Sequence, residues 1–473
     1  MKLSRHRSLQ SRRGSLMIVA MIIAAVIGIS LASYLQLGRT SLSISNRALY
    51  NNAAMNLAEN GLEEAMFSIN KKIADPSYNW TGWTTGSGNA WKQFPTAGTY
   101  TFDQGATGIV RVTVYGYLGT APSAVARSTI TLGNDPNRTI EKWVRIQLRK
   151  TSKFANGLVA KQFVRFNGNN ASVDSWNSDP DNNAGTAAIP YSSGVRRDNG
   201  TVGSVSVSVD AILVQNADIW GFAATGGSQP TVGPNGLIGP FGTASGATDP
   251  THVSTDFSAN FDPVTAPATV GYALGAVTNT LTLPRVGDTT AADGKYYYSA
   301  TSINVNNKVI SVQGTSEKVV LKLTDTTTSI DIGGGSGELR IGTGCTLEIY
   351  APGDIKIAGS GIMNGGTTMA TANQPAALQI WGTKTSGVQD IQIAGNGVLS
   401  AVVYAPQGSL KINGNGDVGG SFVANDITLV GNAAFHYDES LGNFGGANPF
   451  RVSIWQELTT ATARGSFAGA LSF

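Results

Sequence analysis

The 473-residue chain carries only three histidines, His6, His252 and His436, and they lie far apart in sequence. His436 is followed by Asp438 and Glu439, the ingredients of an acid/base pair or of a metal site. The same residues also suit a cap in which His436 and Asp438 satisfy exposed backbone groups. A Ser-His-Asp centre would need His252 or His436, and no Gly-x-Ser-x-Gly elbow accompanies either. No His-Glu-x-x-His segment and no phosphate loop occurs. Asp174, Asn177, Asp179, Asp181 and Asn183 form a local oxygen-rich run, a candidate calcium loop. It lacks the glycine and the closing glutamate of an EF-hand, and such residues also cap their own turns. Asp354, Lys356, Asp390, Lys411, Asp417 and Asp426 are spread along the chain rather than clustered as a polysaccharide-cleaving site requires. The single cysteine, Cys345, excludes a disulfide framework and a cysteine zinc site, and reads as a small buried residue. These residues predict no enzyme and no cofactor.

The elements that would hold such groups are short strands. Fifty-eight glycines, with abundant Ser, Thr, Asn, Val and Ile, disfavour long helices and favour strands joined by tight turns. Charged residues make up 13% of the chain at a net charge of +3, so no field points to nucleic acid. Lys2, Arg5, Arg7, Arg12 and Arg13 hold five of the positive charges in the first thirteen positions. Behind them, residues 16–37 contain no charged side chain, a 22-residue run long enough to cross a bilayer core of about 30 Å. The basic leader predicts a cytoplasmic N-terminus and an outward-facing bulk. A cleaved signal peptide has a shorter apolar region, although Ser30-Leu31-Ala32-Ser33 is a tolerable cleavage site. A plain signal anchor fits the run as well. A lipoprotein signal is excluded, because no cysteine is near.

Helical patterning continues past the run. Ile44, Ala48, Ala54, Leu57, Ala58, Leu62, Ala65, Met66 and Ile69 recur near a 3.6-residue spacing. One helix over 15–72 is expected, apolar all round in its first half and on one face in its second.

Arg12-Arg13-Gly14, the apolar run and the segment from Asn56 to Ala65 together resemble the type IV pilin and type II secretion pseudopilin class, in particular the PilX-type N-terminal family. Ala58, Glu59, Gly61, Glu63 and Glu64 match that family's A-E-x-G-[LI]-E-E-A signature. The resemblance covers residues 12–72. It implies a leader over 1–14, cut by a prepilin peptidase between Gly14 and Ser15, and assembly with other pilin-like subunits through the helix. Two positions depart from the pattern. Ser15 stands where the mature chain usually begins with Phe, and Val19 stands where Glu is usual. That Glu offsets a neighbour's terminal ammonium in a filament core, where an unpaired charge costs several kcal/mol. A subunit without it fits a minor or tip position.

A small antiparallel head is expected over 73–153, with strands near 109–117, 126–132 and 141–149. Tyr78, Trp80, Trp83 and Trp91 lie between helix and sheet and read as core. Beyond residue 154 come near-repeats: Ile355-Lys356-Ile357-Ala358-Gly359, Ile391-Gln392-Ile393-Ala394-Gly395, Leu410-Lys411-Ile412-Asn413-Gly414 and Ile427-Thr428-Leu429-Val430-Gly431. Their starts lie 36, 19 and 17 residues apart, and the first gap reads as two coils of the later spacing. Partial copies begin at Ile330 and Leu339, and Ile349-Tyr350-Ala351-Pro352 recurs as Val403-Tyr404-Ala405-Pro406. Apolar–polar–apolar triplets followed by glycine turns predict an irregular parallel β-helix, or solenoid, over 154–445. An antiparallel sandwich is the rival. Residues 222–300 show no period and read as a loose excursion, and 446–473 as a C-terminal tail. The block from Ala434 to Leu441 resembles the closing motif of Gly-rich domains that follow PilX-type anchors.

The expected fold is thus an α+β pilin-like head with a long N-terminal transmembrane helix, followed by a mainly-β domain. The expected function is a minor pilin or pseudopilin of a type IV pilus or type II secretion-like filament. It would sit in the inner membrane with its bulk periplasmic, or be extracellular once assembled. The solenoid's candidate partner is a surface or a polysaccharide ligand. The alternative is a membrane-tethered adhesion protein that never enters a filament.

Overall fold

The computed structural model describes residues 13–75, 77–118, 122–133, 138–150, 152–168, 171–183, 186–394, 398–414, 416–431, 433–445 and 449–473. His6, most of the leader, and Gly395, Asn396, Gly397, Asn415 and Asn432 of the near-repeats lie outside them. The chain divides into two compact units, Met1–Lys150 with Pro449–Phe473, and Thr151–Asn448.

The first unit is built on one unbroken helix, Arg13–Ala74, of 62 residues. At 1.5 Å per residue it is about 93 Å long. Residues 16–45 are exposed all round, and this part is long and apolar enough to cross a membrane. From Tyr50 onward one face turns inward. Ala54, Ala58, Leu62, Ala65 and Ile69 are buried, whereas Ile44 and Ala48 of the expected apolar face are exposed. The helix outruns its sheet at that end, so the 3.6-residue pattern there has nothing to pack on.

The sheet is antiparallel, in the order Thr84–Gly86, Asn89–Phe94, Thr107–Tyr115, Ser123–Thr131, Thr139–Lys150 and Phe450–Glu457. Alternation decides its faces. Ala124, Ala126, Val144 and Ile146 pack with the helix, and Val125 and Trp143 pack on the other side with Leu458 and Leu471. Trp80 and Trp83 are buried beside the helix, and Trp83 Nε1 donates to Ser68 Oγ at 2.9 Å. The reading of 446–473 as a tail is therefore corrected. Phe450–Glu457 pairs with Thr139–Lys150 as the last strand of the head sheet, and the following helix, Ala461–Ala468, helps to cover its outer face. The strand's sequence alternates, Phe450-Arg451-Val452-Ser453-Ile454, although in the structure only Phe450 of these is buried.

The second unit is mainly β, and all its named strands pair in parallel. The near-repeats stack in register. Ile303, Ile330, Ile355, Ile391, Leu410, Ile427 and Val164 are successive cross-strand partners. A second column runs through Leu321, Ile349, Ile380, Val403, Phe422 and Leu158. Each fully buried aliphatic side chain in such a column contributes about 1.5–3 kcal/mol, which is how short rungs become stable together.

Three expectations change here. Ile355 pairs directly with Ile391, so the 36-residue gap is one coil, not two. The extra length is the strand Gly361–Asn364 and the loop leading to Leu378. Leu339 belongs to a separate four-stranded sheet, where it pairs with Ile310 and Ile362. Residues 222–300 also contribute strands, Thr231–Val232, Leu237–Gly239, Val253–Ser254, Tyr272–Val277 and Leu281–Leu283, and their longest stretch without strand or helix is 255–271. That stretch is held by Phe257, Phe261 and Val264 against the core.

The rungs do not follow chain order. Leu158–Asn167 lies mid-stack, with Asp417–Val430 on one side and Gly200–Ser204 and Ile212–Gln215 on the other. The chain thus enters the stack at its middle, winds outward to Val253–Ser254, restarts at Tyr272–Val277 and returns to its own first rung.

Candidate functional site

Where the last strand, Ala434–Asp438, meets the first coil, it pairs in parallel with Ser172–Trp176. This register sets His436 opposite Asp174. Two candidates that the sequence kept 262 residues apart are therefore neighbours. His436 Nδ1 lies 2.6 Å from Asp174 Oδ1. A carboxylate only accepts, so Nδ1 carries the proton. Tyr191 lies flat on the imidazole at 3.7 Å between centroids and donates its hydroxyl to Asp174 Oδ2 at 2.9 Å. Arg196 Nε is 2.6 Å from the same oxygen, although its N–H is not directed there, which makes this a charge contact. His436 Nε2 faces Asp417 Oδ1 at 3.7 Å, an ion-pair distance too long for a hydrogen bond.

Of the adjoining acids, Asp438 binds backbone and Glu439 binds side chains. Asp438 Oδ1 accepts from the amides of Ser178 and Ser440, each at 3.1 Å, and Oδ2 accepts from Ser178 Oγ at 2.7 Å. Glu439 accepts from Ser175 Oγ, Asn199 Nδ2 and Arg197 Nη1. His436, Asp438 and Glu439 therefore clamp residues 174–199 to the end of the chain's last coil.

Burial works against a charged imidazole, and the carboxylates of Asp174 and Asp417 outweigh it, so the His436 pKa stands above the ordinary histidine value. The His436 imidazolium facing Asp417 holds its carboxyl below the usual carboxylate range against its burial. Burial pushes Asp438 up despite its hydrogen bonds from Ser178 and Ser440. A proton held more tightly by the folded state stabilises it fully below about pH 6.5, the unfolded histidine value, and that contribution is lost as pH rises through the folded value. His436→Gln is expected to lower the stability of the second unit by about 3 kcal/mol at pH 6, the cost of breaking a buried ion pair. The deficit should narrow toward pH 9, because the wild type loses its own share. Thermal melts across that range test this, and a pH-independent deficit would contradict it.

As chemistry, the Asp174–His436 pair can hold a proton, with Asp417 as a second charge near Nε2. Tyr191 covers one ring face, Asp174 and Asp417 occupy both nitrogen edges, and the His436 side chain is only 4% exposed. Among the described residues no serine, threonine or cysteine is hydrogen-bonded to Nε2. The geometry is that of a latch.

The calcium candidates separate. Asp174 is buried with His436, whereas Asn177 Oδ1 accepts the Asp179 amide and Asp179 and Asp181 both accept the Asn183 amide. Among the described residues no group of three or more His, Cys, Asp or Glu is arranged to hold a metal ion. Cys345 is fully buried in the core, Lys356, Gln392 and Lys411 align on successive rungs, and beside them Asp354 and Asp390 are neighbours, the Asp390 amide donating to Asp354 Oδ1 at 3.0 Å, with Ser409 and Asp426 next in the row.

In the helix signature, Ala58 is buried, and Gly61 lets the sheet come so close that a Cβ would lie 2.6 Å from Val112 Cγ2. Glu64 pairs with Lys92 at 3.0 Å, while Glu59 and Glu63 face solvent. The backbone of Gly14 and Ser15 lies in the first turn of the helix.

A family described as a domain of unknown function, DUF7305, matches residues 253–444. The match includes Asp417 and His436 but not Asp174, Tyr191 or Arg196. No curated protein matches the chain. A solved structure, the competence-associated pilin ComZ from Thermus thermophilus, is 11% identical and covers 85% of this chain and 97% of its own, at a TM-score of 0.21. A likeness that loose assigns no fold.

Tyr191 and Arg196 carry no sequence signal, because no spacing links them to Asp174. A signal for the pair itself exists. Aligning Val164-Arg165-Phe166-Asn167-Gly168 with Ile427-Thr428-Leu429-Val430-Gly431 on their glycine turns carries Asp174 to the neighbourhood of His436.

Proposed function

We propose that the chain is a membrane-anchored, pilin-like structural subunit, a minor pilin or pseudopilin, and not an enzyme. Its second unit is an irregular parallel β-helix, a solenoid, displayed for adhesion or partner binding. The observation that carries the reading is the single 62-residue helix, exposed and apolar over 16–37 and one-sided beyond Tyr50. Such a rod serves first in a lipid bilayer and then in a bundle of similar helices, because both surroundings accept an apolar surface all round. The partners are other pilin-like subunits, the inner membrane and a prepilin peptidase acting between Gly14 and Ser15. The bulk of the chain lies on the periplasmic side, and outside the cell once assembled. Register-matched parallel rungs support the solenoid, and the latch supports a display role, since it ties the returning chain to its own first coil.

The second reading is a tethered surface protein that never enters a filament. Val19 favours it, because no carboxylate is present there to meet a neighbour's terminal ammonium. The mass of the mature N-terminus separates the two. Co-expression with a prepilin peptidase is expected to give a chain starting at Ser15, and Gly14→Glu to leave the leader attached. A mature chain starting at Met1 or near Ala32, or unchanged processing of Gly14→Glu, would remove the filament reading.

A further inference from the structure

Next to the latch, the strand Asp218–Thr225 turns Ile219 and Ala223 into the core and Asp218, Trp220 and Phe222 outward. Trp220 packs on Phe241 at 5.5 Å between centroids, and Phe222 stacks on His252 at 4.5 Å and 19°. Phe222 and Phe241 remain 40% and 44% exposed. Arg196 reaches from the latch over Phe241 at 4.7 Å. The platform is held from behind: Asp198 Oδ2 accepts the Phe241 amide at 3.0 Å, and Asp249 lies 3.4 Å from His252 Nδ1. The Asp218 side chain is half-exposed and accepts no hydrogen bond among the described residues; burial pushes its carboxyl up, and the Arg196 charge opposes this.

We propose that Trp220, Phe222, Phe241 and His252, with Asp218 and Arg196, form a binding site for a neutral polysaccharide. A pyranose ring presents flat C–H faces and a rim of hydroxyls. Exposed aromatic rings offer the complementary flat apolar surface, and Asp218 and Arg196 offer an acceptor and a donor fork for the rim. Trp220 and Phe222 are two residues apart on one strand face, about 6.7 Å, on the order of one sugar residue.

The exposed apolar groups here are rings interleaved with ionised side chains. The core of a protein interface would share the rings and the Arg but be depleted of Asp, and here Asp218 stands beside the rings. Charge selects within carbohydrates. Asp218 lines the site with Asp198 and Asp249 behind it, while the Arg196 charge is already met by Asp174, so an anionic polymer is repelled. The inference names a ligand for the displayed unit but does not require assembly. Binding by the isolated chain and N-terminal processing therefore fail separately.

The test is affinity electrophoresis of the detergent-solubilised full-length chain in gels containing hydroxyethylcellulose, galactomannan or dextran, with alginate as the anionic comparison. At least one neutral polymer is expected to retard the wild type, and alginate is not. The Trp220→Ala/Phe222→Ala double variant should bind at least 10-fold more weakly with an unchanged melting midpoint, and Trp220→Tyr should retain most of the binding. If the double variant melts early, Phe241→Ala, in an exposed loop, replaces it with the same expectation. No retardation by any neutral polymer, stronger retardation by alginate, or aromatic variants that bind as the wild type would each overturn the site.

Discussion

Gly420→Val is expected to unfold the second unit. Gly420 has φ +131° and pairs in register with Ala401. A Cβ there would collide with the Ala401 carbonyl oxygen. Neither partner can move aside, because both belong to the long ladder between Leu399–Asn413 and Asp417–Val430. A left-handed backbone in a β-branched residue costs about 1–3 kcal/mol, and overpacking adds about 1–3 kcal/mol. The sum, about 2–6 kcal/mol, reaches at its upper end the whole stability of an ordinary domain, about 5–15 kcal/mol. Gly442→Ala is the control. It has open space around the new Cβ and should stay within about 0.5 kcal/mol of the wild type. Limited proteolysis and thermal melting of the two variants decide the matter. A Gly420→Val chain as resistant as the control would mean that the rungs are not packed as described.

The second large effect concerns the apolar run. Val26 and Ile27 lie near its centre, and both are exposed on the helix. Val26→Asp combined with Ile27→Arg would place two charges at the bilayer midplane, each costing about 2.5–3.5 kcal/mol on an insertion scale. The total, about 5–7 kcal/mol, shifts the insertion equilibrium by roughly 10⁴-fold. The double variant is expected to leave the carbonate-resistant membrane fraction, where the wild type should remain. Retention of the variant in that fraction would show that the run is not what anchors the chain.

Legibility followed the range of the contacts. The helix signature was readable because Ala58, Gly61, Leu62 and Ala65 repeat at helical spacing, and that spacing alone determines a buried face. The Ile-x-Ile triplets were readable because each triplet meets copies of itself, so one local pattern is repeated down a column. The pairing of the last strand of the head was not readable. Phe450, Val452 and Ile454 alternate with Arg451 and Ser453, but their partner strand lies some 300 residues earlier and no local spacing points to it. The one-coil gap between Ile355 and Ile391 was misread for a related reason. Loop length is nearly free to vary between fixed rungs, since lengthening a loop costs little entropy.

The amino-acid order by itself determined the long apolar helix, its one-sided second half, and the strand-and-glycine habit of the remainder. These are consequences of side-chain periodicity within a few residues. Only the tertiary structure decided that the chain enters its stack in the middle, that 449–473 returns to the head, and that Asp174 meets His436. Each is a register between segments hundreds of residues apart, and a register is set by burying whole columns together, which no local spacing encodes.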